Sequence, residues 1–261
     1  MKNKKKILIT GADGFIGRNI CNFFKKKKIK YKKLENNKIL SNHASFTHLL
    51  HLEFYIGKNN KTSYEKKNLN IIKKIITKCI KQNIKLIFFS TCGADLNIND
   101  YTRSKKLCEN EIIKYNKKSN LNSIILRIFN VYSSSLNSRG VIPDLIKKMG
   151  KKAKIFIDYA NNVRDFIYIS DFLELINKSL NFNKSIYIQV GTGKGTKVID
   201  VANKINSIFK FKCKVLKSRK KLSAKNFFSK ANLSQNSKHL KWKSKVSLQK
   251  GLNLIYKKNK K

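Results

Sequence analysis

The chain of 261 residues is 41% hydrophobic and carries 59 Lys and Arg against 14 Asp and Glu, a formal net charge of +45. The hydrophobic fraction argues against a disordered polycation and for one sizeable core, or a main domain with a smaller lobe. The charge alone would indicate a nucleic-acid or anionic-membrane protein. Because the lysines are scattered beside abundant Asn and Ile, as A/T-rich codons encode, we expect no dedicated nucleic-acid site.

The cysteines and the start of the chain indicate a cytoplasmic protein. Five cysteines lie far apart, in an odd number and without paired metal-ligand spacing, so we expect reduced thiols and no metal site: Cys21, Cys79, Cys92, Cys108 and Cys213. The basic start resembles a signal peptide, but Gly11 interrupts the apolar run too early. No apolar stretch is long enough to cross a membrane.

Residues 10–17, Thr-Gly-Ala-Asp-Gly-Phe-Ile-Gly, join the apolar run Ile7–Ile9 to a stretch with helical apolar spacing. Three glycines at this spacing let a strand turn sharply into a helix and bring the backbone against a diphosphate. The first amides of the helix then face the phosphates. The predicted contacts to a dinucleotide are Gly11, Gly14, Phe15, Ile16 and Gly17.

An acidic residue, Glu35, follows about twenty positions after the glycines, where dinucleotide-binding folds place a carboxylate on the adenosine ribose. A carboxylate there accepts the ribose hydroxyls and repels a 2′-phosphate, which favours NAD. The neighbouring lysines Lys32, Lys33 and Lys38 weaken this preference and leave NADP open.

Strands and helices alternate in the next part of the chain. Thr47–Leu52 and Ile84–Phe89 are apolar strand candidates, and Tyr64–Lys81 has apolar residues at helical spacing. This alternation predicts an α/β fold with a parallel sheet covered by helices, and ligands bind beyond the carboxyl ends of such strands. Leu52, at one such end, is a predicted cofactor contact. His48 and His51 point to opposite faces of a strand and cannot share one metal ion.

A candidate catalytic group follows the strand that ends at Phe89. Thr91 comes directly after that strand, and Tyr101 and Lys105 are four residues apart, so on a helix they share one face. A lysine ammonium close to a phenol lowers the pKa of tyrosine toward neutrality and makes it a usable general acid or base.

Together these features resemble the extended short-chain dehydrogenase/reductases, the NAD-dependent nucleotide-sugar epimerases and dehydratases. The family's T-G-x-x-G-x-x-G matches residues 10–17, and its catalytic residues fall on Thr91, Tyr101 and Lys105. The resemblance implies a Rossmann-like domain that binds NAD, with Lys105 also on the nicotinamide ribose. It further implies a nucleotide-sugar substrate and a homodimer.

The resemblance continues to the end of the chain. Leu126–Tyr132 resembles a family motif whose asparagine, here Asn130, approaches the sugar nucleotide, although Asn130 could instead serve its turn. Residues Arg164–Asp171 resemble a second family motif, which implies that Arg164 contacts the nucleotide diphosphate. Alternatively, Arg164 forms an ion pair with Asp165 or a neighbouring carboxylate. Arg219 is a candidate second phosphate contact, and Asp171 is expected to be structural.

Residues 1–132 are therefore predicted to form the cofactor domain and 133–261 mainly a small substrate lobe. A segment at about 183–206 returns to the main domain, with a strand near Ile186–Val190. We expect an epimerase that acts through a transient keto-sugar, or else a keto-sugar reductase. Dehydration is disfavoured because Cys92 and Gly93 stand where dehydratases carry an acidic pair. A non-catalytic descendant that binds RNA or another polyanion is the alternative of another class.

Overall fold

The computed structural model describes residues 5–34, 45–56, 64–96, 98–136, 139–218, 227–234 and 236–260. The chain divides into two compact units. The first contains the described residues up to Ile128 together with Ile176–Ile188, and the second contains Phe129–Leu175 and the described residues from Gln189 onward. The domain boundaries expected from the sequence stay a prediction.

The first unit is built on a six-stranded sheet with the strand order β2-β1-β3-β4-β5-β9. Strands β1 to β5 pair in parallel, which confirms the predicted α/β fold with a Rossmann-like parallel sheet. Its elements, numbered along the whole chain, are β1 (Lys6–Thr10), α1 (Phe15–Lys26), β2 (Lys30–Leu34), β3 (His48–His51), α2 (Tyr64–Lys81), β4 (Lys85–Thr91), α3 (Asp100–Lys118), β5 (Ser123–Ile128) and β9 (Ile186–Val190).

The core of this unit explains why its central strands are almost continuously apolar. Every residue of β3 and β5 is buried, as parallel strands covered on both faces require. Side chains from the sheet and from α2 pack together, among them Leu8, Leu49, Ile72, Phe88 and Ile125. Burying each such side chain stabilises the fold by roughly 1.5–3 kcal/mol.

The second unit contains a three-stranded sheet of order β10-β8-β6 and a two-stranded parallel pair, β11 and β7. β10 runs antiparallel and β6 parallel to β8. Its elements are β6 (Asn130–Tyr132), α4 (Val141–Met149), β7 (Lys154–Ile157), β8 (Val163–Tyr168), β10 (Gly195–Lys197), α6 (Val198–Phe209), β11 (Lys214–Lys217), a π-helical turn (Asn236–Leu240) and α7 (Leu248–Asn259). Helix α5 (Ile169–Leu180) begins in this unit and ends in the first.

Two buried aspartates hold the loops of the second unit. The carboxylate of Asp165 accepts hydrogen bonds from the backbone N–H groups of Thr192, Gly193 and Ala231 at 2.8, 2.8 and 3.1 Å. Asp171 accepts the N–H groups of residues 245 and 246 at 2.9 and 2.8 Å. Each carboxylate fixes backbone N–H groups of a neighbouring segment, so both aspartates have structural roles, as expected for Asp171.

The two histidines of β3 are structural as well. His48 Nε2 lies 3.0 Å from the carbonyl oxygen of Leu180, and His51 Nδ1 lies 2.9 Å from the hydroxyl of Thr10. Both rings are buried. Burial and nearby lysines lower the pKa of His48 to about 4 and that of His51 to about 3.

These shifted histidines predict a loss of stability in mild acid. In the unfolded chain both residues bind protons as the pH falls below about 6.5, whereas in the native state they stay neutral until about pH 4 and 3. Stability is therefore unaffected by them above pH 7. Below about pH 6.5, and until each native-state pKa is reached, the free energy of unfolding falls by about 1.4 kcal/mol per pH unit for each histidine.

The measurement is urea unfolding of wild type and of His51→Gln between pH 7.5 and 4.5. The variant has lower stability at neutral pH because its packing is altered, but a shallower loss in acid. Equal pH slopes for the two proteins would contradict the prediction. The difference between the proteins removes the contribution of the carboxylates, which titrate in both.

None of the helices formed by the described residues is long and apolar enough to cross a bilayer. All five cysteines are free thiols, and four of them are buried. The exception is Cys92, which is partly exposed and lies directly after β4.

Candidate active site

The glycine turn between β1 and α1 has the geometry that its spacing predicts. Gly11 has φ +63°, a backbone conformation that favours glycine, and a Cβ on it would lie 2.8 Å from the backbone nitrogen of Glu53. A Cβ on Gly17 would lie 2.3 Å from the carbonyl oxygen of Gly11. The first glycine therefore permits the turn, and the third lets α1 pack directly onto it.

The start of α1 is open to an anion. Gly14 is its N-cap residue, so no side chain caps the first turn, where Phe15 and Ile16 are the first helical residues. Beside this turn is a pocket of about 450 Å³, which is lined by Gly11, Ala12, Asp13, Gly14, Lys33, Leu34 and Glu53. Exposed amides at a helix N-terminus and the absence of Cβ atoms fit a dinucleotide diphosphate at this position.

Two charged groups border the pocket. Lys33, the last residue but one of strand β2, forms an exposed ion pair with Asp13 at 2.7 Å. Glu53 follows β3, and burial raises the pKa of its carboxyl group. Glu35, the predicted ribose contact, lies outside the described residues and stays a prediction.

The hydroxyl of Thr10 connects β1 to the segment after β3. It accepts the backbone N–H of Glu53 at 3.2 Å and lies 2.9 Å from His51 Nδ1. Because the pKa of His51 is lowered to about 3, its neutral ring can accept a hydrogen bond from the Thr10 hydroxyl through Nδ1 at neutral pH. These bonds fix Leu52 and Glu53 beside the glycine turn, where the backbone carbonyl carbon of Leu52 would be 3.1 Å from a Cβ on Gly11.

Tyr101 and Lys105 both lie on α3, as predicted. The helix begins with a capping box in which the side chains of Asn99 and Thr102 bond each other's backbone N–H groups, so its first turn is well defined. Lys105 is only 2% exposed, and its ammonium donates to the carbonyl oxygen of Phe89 at 2.6 Å. Burial lowers the pKa of Lys105 to about 7.

The predicted lowering of the tyrosine pKa is wrong for the protein without ligands. Burial, with a smaller contribution from Cys92, raises the pKa of Tyr101 above its ordinary value. The Lys105 Nζ lies 5.8 Å from the centre of the Tyr101 ring, and its hydrogen bond goes to the backbone. The ammonium therefore does not offset the cost of ionising a buried phenol.

Phe54, in the segment after β3, lies against both catalytic candidates. The centre of its ring is 3.7 Å from the Lys105 Nζ and 5.7 Å from the centre of the Tyr101 ring. The next residue is fixed to α2, because Asn68 exchanges two hydrogen bonds of 3.0 Å with the backbone of Tyr55. A ribose on Lys105 would require the Phe54 ring to rotate away from the ammonium.

Thr91 ends β4, and its loop turns back onto α3. The N–H of Cys92 donates to the carbonyl of Ile128 at 2.8 Å, and the N–H of Gly93 lies 3.4 Å from the Thr91 hydroxyl oxygen. A Cβ on Gly93 would be 2.9 Å from a methyl group of Thr102 on α3. The loop is therefore packed directly on the turn of α3 that carries Tyr101.

In the second unit, Asn130 and Arg164 line a pocket of about 250 Å³ with a second arginine, Arg139, and the N-terminal turn of α4. Arg164 donates to the side chain of Asn130 at 3.3 Å, whereas the Asp165 carboxylate is taken by backbone donors. Among the described residues, the buried Nε of Arg164 has no hydrogen-bond partner. Two guanidinium groups and a helix start suit a phosphate-bearing ligand. Arg219 lies outside the described residues.

Sequence reasoning missed several residues of these sites. Phe54 and Glu53 immediately follow a strand at the carboxyl edge of the sheet, which was a usable signal. Arg139 lies two residues before α4, so the signal there was an arginine next to the start of a helix.

A family model described as NAD dependent epimerase/dehydratase family matches residues 33–191. The match begins after the glycine turn, so the turn is additional support. ADP-L-glycero-D-manno-heptose-6-epimerase of Brachyspira hyodysenteriae is 26% identical over 260 residues, covering 78% of this chain and 81% of that protein. GDP-6-deoxy-D-talose 4-dehydrogenase of Aggregatibacter actinomycetemcomitans is 25% identical over 224 residues, 72% of this chain and 75% of that protein.

Solved structures show the same fold. The UDP-glucose 4-epimerase of Thermotoga maritima, solved with UDP-glucose, superposes with a TM-score of 0.81 at 22% identity, covering 98% of this chain and 99% of that chain. The GDP-mannoheptose C4 reductase of Campylobacter jejuni, solved with NADP bound, gives 0.79 at 17% identity over the whole of both chains.

Proposed function

Because the chain belongs to the NAD dependent epimerase/dehydratase family, we propose that it is a nucleotide-sugar epimerase that works through a transient keto-sugar. The observation that carries this proposal is that Tyr101 and the buried Lys105 lie on one helix, in the unit that also forms the glycine turn. Burying an ammonium group costs free energy. A non-catalytic protein that kept only the packing of this fold would gain nothing from placing Lys105 there.

In this proposal each residue has a separate role. Tyr101 takes the proton of a sugar hydroxyl, and the Thr91 hydroxyl holds that sugar oxygen by a hydrogen bond. Lys105 holds the nicotinamide ribose once Phe54 has rotated away. NAD, when bound, supplies the hydride acceptor and a positive charge in the site. That charge matters because burial raises the pKa of Tyr101 in the protein alone, and a nearby positive charge favours the phenolate.

The pocket of the second unit is the proposed site for the nucleotide diphosphate. Arg164 and Arg139 supply planar cationic donors, and Asn130 supports Arg164. The unpartnered Nε of Arg164 is a donor that a phosphate oxygen could satisfy. Arg219 remains a proposed further phosphate contact.

A substitution in this pocket should weaken the binding of the substrate and leave the affinity for the cofactor unchanged. Arg164→Gln removes a cation from the diphosphate site, so we expect nucleoside diphosphates to bind about 10 to 100 times more weakly, with NAD affinity unchanged. Calorimetric titration with UDP, GDP, CDP and ADP measures this. Lys154→Gln, which removes one charge from the exposed start of β7 in the same unit, is the control. An equal loss in both variants would indicate a diffuse field and no site.

The keto-sugar reductase alternative has its own support. Lys33 lines the dinucleotide pocket and forms an exposed ion pair with Asp13, so its ammonium could turn to a 2′-phosphate. Glu35 predicts NAD instead. Comparing hydride transfer with NAD and with NADP tests which cofactor the protein prefers. A strong preference for NADP would overturn the role given to Glu35. An epimerase leaves the cofactor unconsumed, whereas a reductase consumes one reduced cofactor per product.

The proposal is tested by screening nucleotide sugars for protection against thermal unfolding with NAD present, followed by analysis of the sugar product. A ligand specific for the native state raises its stability. We expect protection by nucleotide sugars and formation of an epimer. Protection by random RNA alone, lost steeply with salt, would instead support the polyanion-binding alternative. The homodimer and the cytoplasmic location stay predictions.

A further inference from the structure

An ionic cluster joins three parts of the first unit, namely β5, α3 and the loop after β4. Arg127 on β5 donates to Glu109 on α3, from Nε to Oε1 at 3.1 Å and from Nη2 to Oε2 at 2.6 Å. The same guanidinium bonds both carboxylate oxygens of Asp95, with Nη2 to Oδ1 at 3.1 Å. Asp95 also pairs with Lys106 on α3 at 2.6 Å.

The cluster is buried at one end and exposed at the other. The side chains of Arg127 and Glu109 are 6% and 1% exposed, so their charges are largely removed from water, whereas the side chain of Asp95 is 54% exposed. Although burial opposes its ionisation, Arg127 and Lys106 hold the pKa of Asp95 below its usual value. Removing the Asp95 charge takes from the buried Arg127 guanidinium one of its two carboxylate partners and so weakens the tie between the loop and β5.

The position of Asp95 gives the cluster a consequence for the site. Thr91 lies at the end of β4, whereas Tyr101 and Lys105 lie on α3, so contacts between these elements decide how the hydroxyl and the phenol are placed. Asp95 lies four residues after Thr91, in the loop that packs on α3 through Gly93. Its bonds reach α3 directly through Lys106 and indirectly through Arg127.

We propose that Asp95 is a positioning residue that clamps the loop after Thr91 onto α3, and so sets the place of the Thr91 hydroxyl relative to Tyr101. The clamp itself is independent of any reaction, whereas its effect on turnover rests on the proposed function. Asp95 touches neither proposed ligand in this arrangement and acts through Arg127 and Lys106.

The chain contains its own reporter for this loop. Cys92 lies between Thr91 and Asp95 and is partly exposed, whereas the other four cysteines are buried. Opening of the loop exposes the Cys92 thiol and speeds its reaction with an aromatic disulfide reagent such as DTNB. Global unfolding exposes all five thiols, so the two events are distinguished by the number of fast thiols.

The test compares DTNB labelling of wild type, Asp95→Asn and Glu65→Gln. Asp95→Asn keeps the size of the side chain and removes its charge, so Cys92 should react at least about ten times faster while the other thiols stay slow. Glu65→Gln breaks the Arg103–Glu65 ion pair between α2 and α3 at 2.8 Å and should leave the rate unchanged. An unchanged Cys92 rate in Asp95→Asn would overturn the clamp.

If Asp95→Asn exposes all thiols, Lys106→Met provides the milder variant. It removes only the partly exposed partner, and we expect a two- to threefold faster reaction at Cys92, roughly the effect of one surface ion pair. No acceleration in Lys106→Met would then count against the clamp.

Turnover provides the second readout. Once an active substrate is known, Asp95→Asn should lower kcat about 10- to 100-fold with little change in the KM for the cofactor, and Asp95→Glu should restore part of it. Faster labelling with normal kcat would refute the positioning role and leave the clamp standing. Failure to find any active substrate would bear on the proposed function, and the labelling result would be unaffected.

Discussion

Tyr101→Phe should lower turnover by about 10² to 10⁴-fold while leaving the affinity for NAD unchanged. The substitution removes only a hydroxyl, and the ring keeps its edge contact with Phe54. Because the buried phenol has a raised pKa, its removal should also abolish the dependence of turnover on one ionising group at alkaline pH. The measurement is the pH profile of kcat, together with a titration of NAD binding.

The matched control for this change is Tyr115→Phe, which removes a hydroxyl from the far end of the same helix. It should retain near-normal turnover. If Tyr101→Phe also kept near-normal turnover, Tyr101 would not be the acid-base group, whatever the cofactor affinity showed.

Gly17→Ala should weaken cofactor binding strongly and destabilise the protein. Its Cβ would lie 2.3 Å from the carbonyl oxygen of Gly11 and 2.7 Å from the backbone of Ala12. These neighbours are backbone atoms that cannot rotate away, so α1 must shift from the turn. We expect a loss of roughly 3 kcal/mol in unfolding free energy. NAD affinity should fall at least about 100-fold, because the helix amides no longer face the diphosphate.

Gly150→Ala is the control for this substitution. Gly150 ends α4 with ordinary helical backbone angles, and a Cβ there would meet its neighbours at 3.4 Å or more. It should bind NAD normally and lose less than about 1 kcal/mol. Normal NAD binding by Gly17→Ala would show that the glycine turn is not the cofactor site. Unfolding free energy from urea titration and NAD affinity from calorimetry complete the comparison.

The sequence predicted those features that depend on local geometry. The positions of Gly11 and Gly17 follow from backbone conformation and close packing, which leave few other residues possible. Given a helix, the shared face of Tyr101 and Lys105 follows from their spacing of four residues. The parallel sheet follows from alternating apolar runs, because strands buried on both faces must be apolar throughout.

Features that depend on tertiary surroundings were predicted less well. The spacing of Tyr101 and Lys105 indicated a lowered tyrosine pKa, but the direction is set by burial and by the Phe89 carbonyl that takes the ammonium. Phe54 contacts Lys105 across about fifty residues of sequence, and no local pattern encodes that contact. The bond between Arg127 and Asp95 is likewise made only when β5 and the loop after β4 come together.

The roles proposed for Tyr101 and Lys105 depend most on where a bound dinucleotide lies, and a crystal structure of the NAD complex measures this directly. It should show the diphosphate on the amides that follow Gly14, the Phe54 ring turned away, and the Lys105 ammonium on the nicotinamide ribose beside Tyr101. A complex in which Phe54 still covers Lys105, with the nicotinamide away from Tyr101, would contradict both roles.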